Sequence, residues 1–269
     1  MTFSEAIILA IIEGITEFLP VSSTAHMIFA SSIFGIETDE FVKMFQVSIQ
    51  FGAILAVVSM YWRRFFNFSS PQFYIKLIIG VIPALVLGKL FDDKIEAVLE
   101  KPIPIALMLI LGGVVLLFID RLFNNPRLDS VDSISKLSAV KIGLWQCLAM
   151  MPGTSRSAAS IIGGMQQGLS RKAAAEFSFF LAVPTMFAVT CYSLFLKDWT
   201  YKGTHQTGID MILSSQQNTV FFIVGNSIAF LIAAIAIKFF IEFLQKYGFK
   251  VWGWYRVLIG CSLLIYFLR

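Results

Sequence analysis

The stretch Glu13-Gly-Ile-Thr-Glu17-Phe-Leu-Pro20-Val-Ser22-Ser23-Thr24-Ala25-His26 interrupts an otherwise apolar run over about residues 5–35. A helix needs roughly 20 apolar residues to cross a bilayer core, and a proline removes a backbone donor and stops the helix ahead of it. Pro20 leaves two halves of roughly 15 residues, each too short to span, so the region reads as a re-entrant helical hairpin. Further along, the run 138–169 is split the same way at Met151-Pro152-Gly153. Apolar runs at about 41–62, 74–91, 103–120, 176–196, 219–243 and 251–268 each approach bilayer length, which predicts six crossings.

Composition agrees with a chain dissolved in lipid. Of 269 residues 57% are hydrophobic and 14% charged, Phe alone contributes 27, and no polar segment is long enough for a soluble catalytic domain. Mean hydropathy is +0.79, which places the chain among integral membrane proteins. The net charge of +4 then speaks to orientation and headgroups, not to nucleic acid. Cys147, Cys191 and Cys261 lie far apart in apolar stretches without metal-ligand spacing and read as small core residues. The first apolar run carries Glu5, Glu13 and Glu17 and lacks a basic leader, so it is expected to be retained.

Aligning Pro20 with Pro152 brings out a repeat at an offset of 132 residues, pairing Ser23 with Ser155, Phe45 with Phe177, Ala56 with Ala188 and Val57 with Val189. Each copy is one hairpin followed by three crossings, and an odd number of crossings forces the second copy to enter from the opposite face. The expected fold is an all-α polytopic membrane protein: six transmembrane helices plus two re-entrant hairpins in an inverted-topology repeat. Residues 1–269 form a single domain, repeat one over about 1–120 and repeat two over about 136–269.

Lys and Arg favour cytoplasmic loops. With the first crossing ending inside, the inner loops hold Arg63, Arg64, Arg121, Arg127, Lys136, Arg171, Lys172, Lys246 and Lys250, and the outer ones Asp92, Asp93, Glu96, Glu100 and Asp198. Both termini and the mouth of the first hairpin then face outward. Trp62, Trp252, Trp254, Arg171 and Lys172 read as interfacial anchors, and His205 as solvated in the polar loop 197–218.

Ionisable side chains in lipid cost about 2.5–3.5 kcal/mol each on insertion scales, so Glu13, Glu17, His26 and Arg156 point to use. Glu13 and Glu17 are four apart, on one helical face. Two carboxylates so placed in a low dielectric cannot both stay charged unless a metal, an arginine or a phosphate-bound cation compensates. They suit proton exchange or a divalent cation such as Mg2+ or Ca2+; no organic cofactor is implied. Ser22, Ser23 and Thr24 follow Pro20 where the second half-helix begins, which suits an N-cap or a phosphate. His26 lies three residues beyond Ser23 on the same face, within reach of a hydroxyl proton. Serine and threonine also merely cap and pack membrane helices, but that reading does not explain the ionisable groups.

The second tip, Pro152-Gly153-Thr154-Ser155-Arg156-Ser157, places three hydroxyls and a guanidinium at a half-helix start. Backbone N–H groups there point beyond the tip, and the planar arginine fork matches phosphate oxygens, so the tip reads as an anion cradle. Two hairpins entering from opposite faces bring Glu13, Glu17, Ser23 and His26 opposite Arg156. An Arg156–Glu17 ion pair that only locks the hairpins is the plainer alternative. Gln50 and Glu176, in apolar surroundings, are candidates to support the site.

These strings resemble the undecaprenyl-diphosphate phosphatases, the bacitracin-resistance (BacA/UppP) family of bacterial inner membranes. The resemblance rests on Glu13-x-x-x-Glu17, Pro20-Val-Ser-Ser-Thr-Ala-His26, Pro152-Gly-Thr-Ser-Arg-Ser157 and Glu176-Phe-Ser-Phe-Phe-Leu-Ala-Val-Pro184, and covers almost the whole chain. Ala25 stands where the family usually has glycine and Ser160 where it usually has threonine. The resemblance implies hydrolysis of undecaprenyl diphosphate to undecaprenyl phosphate and inorganic phosphate, recycling the carrier for peptidoglycan synthesis and opposing bacitracin. The implied partners are a lipid diphosphate and the bacterial inner membrane; a homodimer stays open.

On this reading Arg156, Ser22, Thr24, Thr154, Ser155 and Ser157 hold phosphate oxygens, while Ser23, activated by His26, attacks the terminal phosphorus. Glu13 and Glu17 hold a cation or pass protons to water. His26 or water as nucleophile stays open. The rival class is a transporter or flippase for a polyprenyl phosphate lipid, because inverted repeats with broken helices are a transporter architecture.

Overall fold

The structure, a computed structural model, describes residues 1–91, 97–98, 101–201 and 203–268. Its main helices are α1 (Phe3–Thr16), α2 (Ser23–Phe34), α3 (Glu40–Ser48), α4 (Gln50–Met60), α5 (Pro71–Leu90), α6 (Pro102–Leu122), α7 (Lys136–Cys147), α8 (Arg156–Gln166), α9 (Arg171–Cys191), α10 (Gln216–Tyr247) and α11 (Lys250–Phe267). A two-stranded antiparallel hairpin, β1 (Trp199–Tyr201) and β2 (Thr204–Gln206), folds part of the loop that the sequence left as merely polar.

Among the described residues five segments are long and apolar enough to cross a membrane: Glu40–Met60, Pro71–Leu90, Pro102–Leu122, Arg171–Leu196 and Gln216–Tyr247. The protein is therefore an all-α, multi-pass membrane protein. The sixth expected crossing, 251–268, is helical as α11 but is not one of these five. Lys250, Arg256, Trp252, Trp254 and Tyr255 dilute its hydropathy.

Both proline-interrupted regions form a helix, a break and a second helix. The four helices have 14, 12, 12 and 11 residues. At about 1.5 Å per residue they reach about 16–21 Å, well short of a hydrocarbon core of about 30 Å. Each pair leans on a long helix from the other half of the chain: α1 packs on α10, and α7 on α5. The α7–α5 approach is so close that a Cβ on Gly143 would collide with the Gly80 carbonyl. Small residues are what permit such backbone contact in lipid, where no hydrophobic force presses helices together. The bundle closes with α4 against both α9 and α10, and α6 against α11. Phe18, at the first break, meets Phe179 of α9 edge-on at 5.2 Å in the central core.

The basic loops gather at one end. Arg64 pairs with Asp132 at 2.8 Å, Arg171 with Asp120 at 2.6 Å, and Asp120 also accepts from the Phe249 N–H at 2.8 Å. At the other end the N-terminal ammonium lies 3.9 Å from Asp39 and the β-hairpin packs by Tyr201 on Phe41. Asp198 is at this second end, paired with exposed His205 at 3.2 Å; Asp92, Asp93, Glu96 and Glu100 lie outside the described residues. Of the cysteines, Cys147 and Cys191 are half-buried, but Cys261 is exposed on α11, so it is not the core residue expected. An 18-residue helix on the rim of a bundle turns one face outward, and apolar character alone does not reveal which.

Candidate active site

The two breaks use the same backbone device. Ser22 and Ser155 have φ of 69° and 74°, the only positive values among described non-glycine residues. Each is the N-cap of the helix that follows, its hydroxyl oxygen accepting from Ala25 N at 3.5 Å and from Ala158 N at 3.2 Å. Such strain persists only where the surroundings hold it, and it concentrates at functional sites. The equivalence of Ser22 with Ser155 corrects the expected pairing of Ser23 with Ser155 by one residue. Position 23 instead corresponds to Arg156, the first residue of each second helix. Ala25 lies inside α2 and needs no glycine-like backbone.

The tips meet. Arg156 Nη2 lies 3.1 Å from Glu17 Oε1, and its Nη1 donates to the Ser178 carbonyl of α9 at 2.9 Å. Its third nitrogen, Nε, is buried with no partner, and the guanidinium carbon sits 5.9 Å from the centre of the Phe18 ring. The other Glu17 oxygen, Oε2, accepts from Ser23 Oγ at 2.6 Å. Glu13, one turn earlier and 1% exposed, has Oε1 buried without a partner.

The expected hydroxyl acceptor for Ser23 was His26, and the geometry differs. His26 Nδ1 lies 2.8 Å from the Ser22 carbonyl, which can only accept, so Nδ1 carries the hydrogen. Its Nε2 is 2.8 Å from the Tyr255 hydroxyl, and the two rings stack 5.7 Å apart. Both ring nitrogens are thus engaged away from Ser23, and the Glu17 carboxylate is the group that accepts its hydroxyl hydrogen.

Other expected phosphate ligands divide. Thr154 Oγ1 is buried and unpartnered. Ser22 and Ser155 accept through their oxygens and keep a hydroxyl hydrogen to give. Thr24 is half-buried on the first turn of α2. Ser157, in contrast, donates to the Phe18 carbonyl at 2.9 Å and is fully buried, so it ties the second tip to the first and has no hydrogen left for a ligand. Ser160, the threonine position of the resemblance, donates to the Arg156 carbonyl at 2.8 Å and lies 2.7 Å from Ser178 Oγ, steadying the first turn of α8. Gln50 starts α4 in mid-span with Oε1 buried and unpartnered.

Two residues of α11 escaped the sequence reading. Arg256, 0% exposed, donates to Pro20 O at 3.0 Å, Thr154 O at 2.9 Å and Gly153 O at 2.8 Å, and to Leu109 O and Met108 O at 3.3 Å each. It clamps both tips to α6. Tyr255 beside it holds His26. An arginine within an apolar run was the available signal, the same one that singled out Arg156.

The set combines a hydroxyl aimed at a carboxylate, a guanidinium with a spare donor, and the N-termini of α2 and α8, which favour an anion. Among the described residues no group of three or more His, Cys, Asp or Glu could hold a metal ion. A cation here would rest on Glu13 and Glu17 and need ligand oxygens to complete its shell.

Comparison with known proteins finds a match to the family described as "Bacitracin resistance protein BacA" over residues 6–262. The chain is 54% identical to the undecaprenyl-diphosphatase of Flavobacterium psychrophilum, covering 98% of this chain and 96% of the relative. It is 52% identical to that of Flavobacterium johnsoniae with the same coverage, and 45% identical to that of Bdellovibrio bacteriovorus, again over 98% and 96%.

Proposed function

The chain belongs to the bacitracin resistance protein BacA family, and from that premise we infer that it is an undecaprenyl-diphosphatase. It hydrolyses undecaprenyl diphosphate to undecaprenyl phosphate and inorganic phosphate, a hydrolase that returns the lipid carrier to peptidoglycan synthesis and opposes bacitracin. The observation that carries the reading is the 2.6 Å contact of Ser23 Oγ with Glu17, beside Arg156 and between two helix N-termini. A site built only to pass an anion has no need of a hydroxyl held on a buried base, so the flippase reading is not retained.

In the proposed reaction the diphosphate enters between the tips and Arg156 exchanges Glu17 for phosphate oxygens, its unpartnered Nε adding a donor. Thr154, Ser22, Thr24 and the first N–H groups of α2 and α8 complete the cradle. Ser23 Oγ bonds to the terminal phosphorus and its proton passes to Glu17. The bond from that phosphorus to the bridging oxygen breaks, and undecaprenyl phosphate leaves as a good leaving group. Glu17 gives the proton that it took from Ser23 to the departing undecaprenyl phosphate and is a carboxylate again. Water then attacks the phosphoserine and passes one proton to Glu17, which returns it to Ser23 Oγ as the Oγ–phosphorus bond breaks, and inorganic phosphate leaves. Fixed donors aimed at the spreading negative charge supply most of the rate. His26, held by Tyr255, positions the first turn of α2. Mg2+ or Ca2+, bound by Glu13 and Glu17 together with phosphate oxygens, would neutralise phosphate charge; such hard cations accept a shell completed by substrate.

The arrangement also supports an inverted repeat. Two short-helix pairs of like geometry, each leaning on the opposite half, read as re-entrant hairpins entering from opposite faces, with α11 as a sixth crossing of a bacterial inner membrane. The basic end would then be cytoplasmic.

The test is phosphate release from undecaprenyl diphosphate by detergent-purified protein, with Arg156→Ala in parallel and divalent cations added or chelated. Loss of one transition-state donor of this kind costs about 10²–10³ in turnover, and that is the expected fall. Acid quenching should trap phosphate on Ser23. Near-normal release by folded Arg156→Ala would sink the site, and label on His26 or on no residue would replace the nucleophile.

A further inference from the structure

We propose that a cavity at the basic pole binds the phosphodiester headgroup of an anionic membrane phospholipid, at a site separate from the two tips and independent of the diphosphatase reading. The cavity holds about 580 Å³, within the range of about 300–1,000 Å³ usual for small-molecule pockets. Met60, Tyr61, Trp62, Arg63, Arg64 and Asn67 line it. Met60 ends the membrane-crossing segment Glu40–Met60, so the cavity lies where a crossing gives way to the connection that follows. Headgroups lie at that depth whichever face the pole adopts.

The cavity's donors are left over from folding. Among the described residues Arg63 has no hydrogen-bond or ion-pair partner; its guanidinium carbon sits 5.6 Å from the centre of the Trp62 ring, and its five N–H donors remain to be given. Arg64 is engaged by Asp132 at 2.8 Å and lies 5.5 Å from the centre of the Phe73 ring, so it adds charge more than hydrogen bonds. The Asn67 side-chain oxygen accepts from the Ser69 N–H at 3.2 Å, which leaves its amide nitrogen to donate. Behind them the Tyr61 ring packs edge-on against Phe180 at 4.9 Å and fixes the wall. Two guanidinium groups and an amide, with no carboxylate among the described lining residues, favour an anion, and the arginine fork matches a pair of phosphate oxygens. The rim commits the cavity to a lipid and not to free phosphate. Met60 and Trp62 are 40% and 55% exposed at the membrane boundary, an apolar surface for the first methylenes of an acyl chain that inorganic phosphate has no means to use.

The experiment is native mass spectrometry of the delipidated full chain in detergent, titrated with dioleoylphosphatidylglycerol, dioleoylphosphatidylcholine or inorganic phosphate. Arg63→Gln is compared with the parent and with Arg121→Gln, which removes the same charge from an exposed arginine in the last turn of α6, outside the cavity. Both positions are exposed, and unaltered thermal unfolding before lipid is added shows that neither change disturbs the fold. The expected result is one tightly bound phosphatidylglycerol per chain in the parent and in Arg121→Gln, with affinity at least about tenfold lower in Arg63→Gln, the loss of a charge-assisted hydrogen bond. Phosphatidylcholine should bind at least about tenfold more weakly than phosphatidylglycerol, and millimolar phosphate should not displace the lipid. Equal affinity in the parent and Arg63→Gln, or an equal loss in Arg121→Gln, would mean diffuse attraction to a basic surface and would overturn the proposal. Phosphatidylcholine bound as tightly, displacement by inorganic phosphate, or no tightly bound phosphatidylglycerol would overturn it as well.

Discussion

Arg256 shows how one side chain can fix a site that it does not enter. Its five hydrogen bonds all go to backbone carbonyls, three of them on the tips at Pro20, Gly153 and Thr154. Lysine keeps the charge but has three donors on a single nitrogen and no planar fork, so it cannot span both tips and α6 at once. Arg256→Lys should therefore remain monodisperse while kcat/KM for undecaprenyl diphosphate falls at least about tenfold, the cost of a small misplacement of reacting groups. Arg256→Met, which leaves the tip carbonyls unmet at about 1–3 kcal/mol each, should lower Tm markedly or prevent folding. A Lys variant with full kcat/KM would show that the clamp does not position the tips. The charge stands in an apolar run where the sequence analysis passed over it, and its partners are not legible there at all, because all five carbonyls come from distant segments. The same limit governs His26. Its spacing from Ser23 is right for a base, yet Tyr255, over two hundred positions away, takes one ring nitrogen and the Ser22 carbonyl the other.

The two helix–break–helix elements were legible from Pro20 and from Pro152-Gly153, because a proline within an apolar run has few other meanings. The register of the tips was not. Ser22 and Ser23 are both plausible caps by residue type, and only the positive φ at Ser22 and Ser155 distinguishes cap from first turn. That conformation yields a prediction with an internal control. Ser155→Gly relieves the backbone strain while losing the cap, and glycine is itself a tolerable N-cap at a cost of a few tenths of a kcal/mol. Ser155→Ala loses the cap, worth about 1 kcal/mol, and keeps the strain. Thermal unfolding should rank the glycine variant close to the parent and the alanine variant below it. The reverse order would mean that the hydroxyl matters more than the backbone conformation. The Glu17–Arg156 pair belongs to this scale as well. It is the lock that sequence reasoning set against a phosphate grip, and on the proposed mechanism it is also the resting state of that grip, since a bound diphosphate replaces one anion by another.

Across the whole molecule the charges sort by end even though they are scattered along the chain. Arg64, Asp132, Arg171 and Asp120 lie in or beside three different connections and meet in two ion pairs at one pole, while Met1, Asp39, Asp198 and His205 lie at the other. A count of basic residues per loop foresaw the basic pole, because loops that alternate between faces must collect in two groups once the helices are packed; of the acidic residues expected opposite it, Asp198 lies there and the others are outside the described residues. Surface pairs of this kind contribute little stability, about 0–1 kcal/mol each, so orientation is the larger consequence. Lys and Arg near span ends resist translocation, so on the proposed orientation their pole faces the cytoplasm. In a cysteine-free background, Ser130→Cys beside the basic pole should react with a membrane-impermeant maleimide only after cells are opened. Thr204→Cys, in the β-hairpin of the other pole, should react in cells stripped only of the outer membrane. Labelling of Ser130→Cys from outside would invert the protein. It would place the first hairpin's mouth, with Glu13 and Glu17 along its wall, on the cytoplasmic side, and phosphate released through that mouth would return to the cytoplasm.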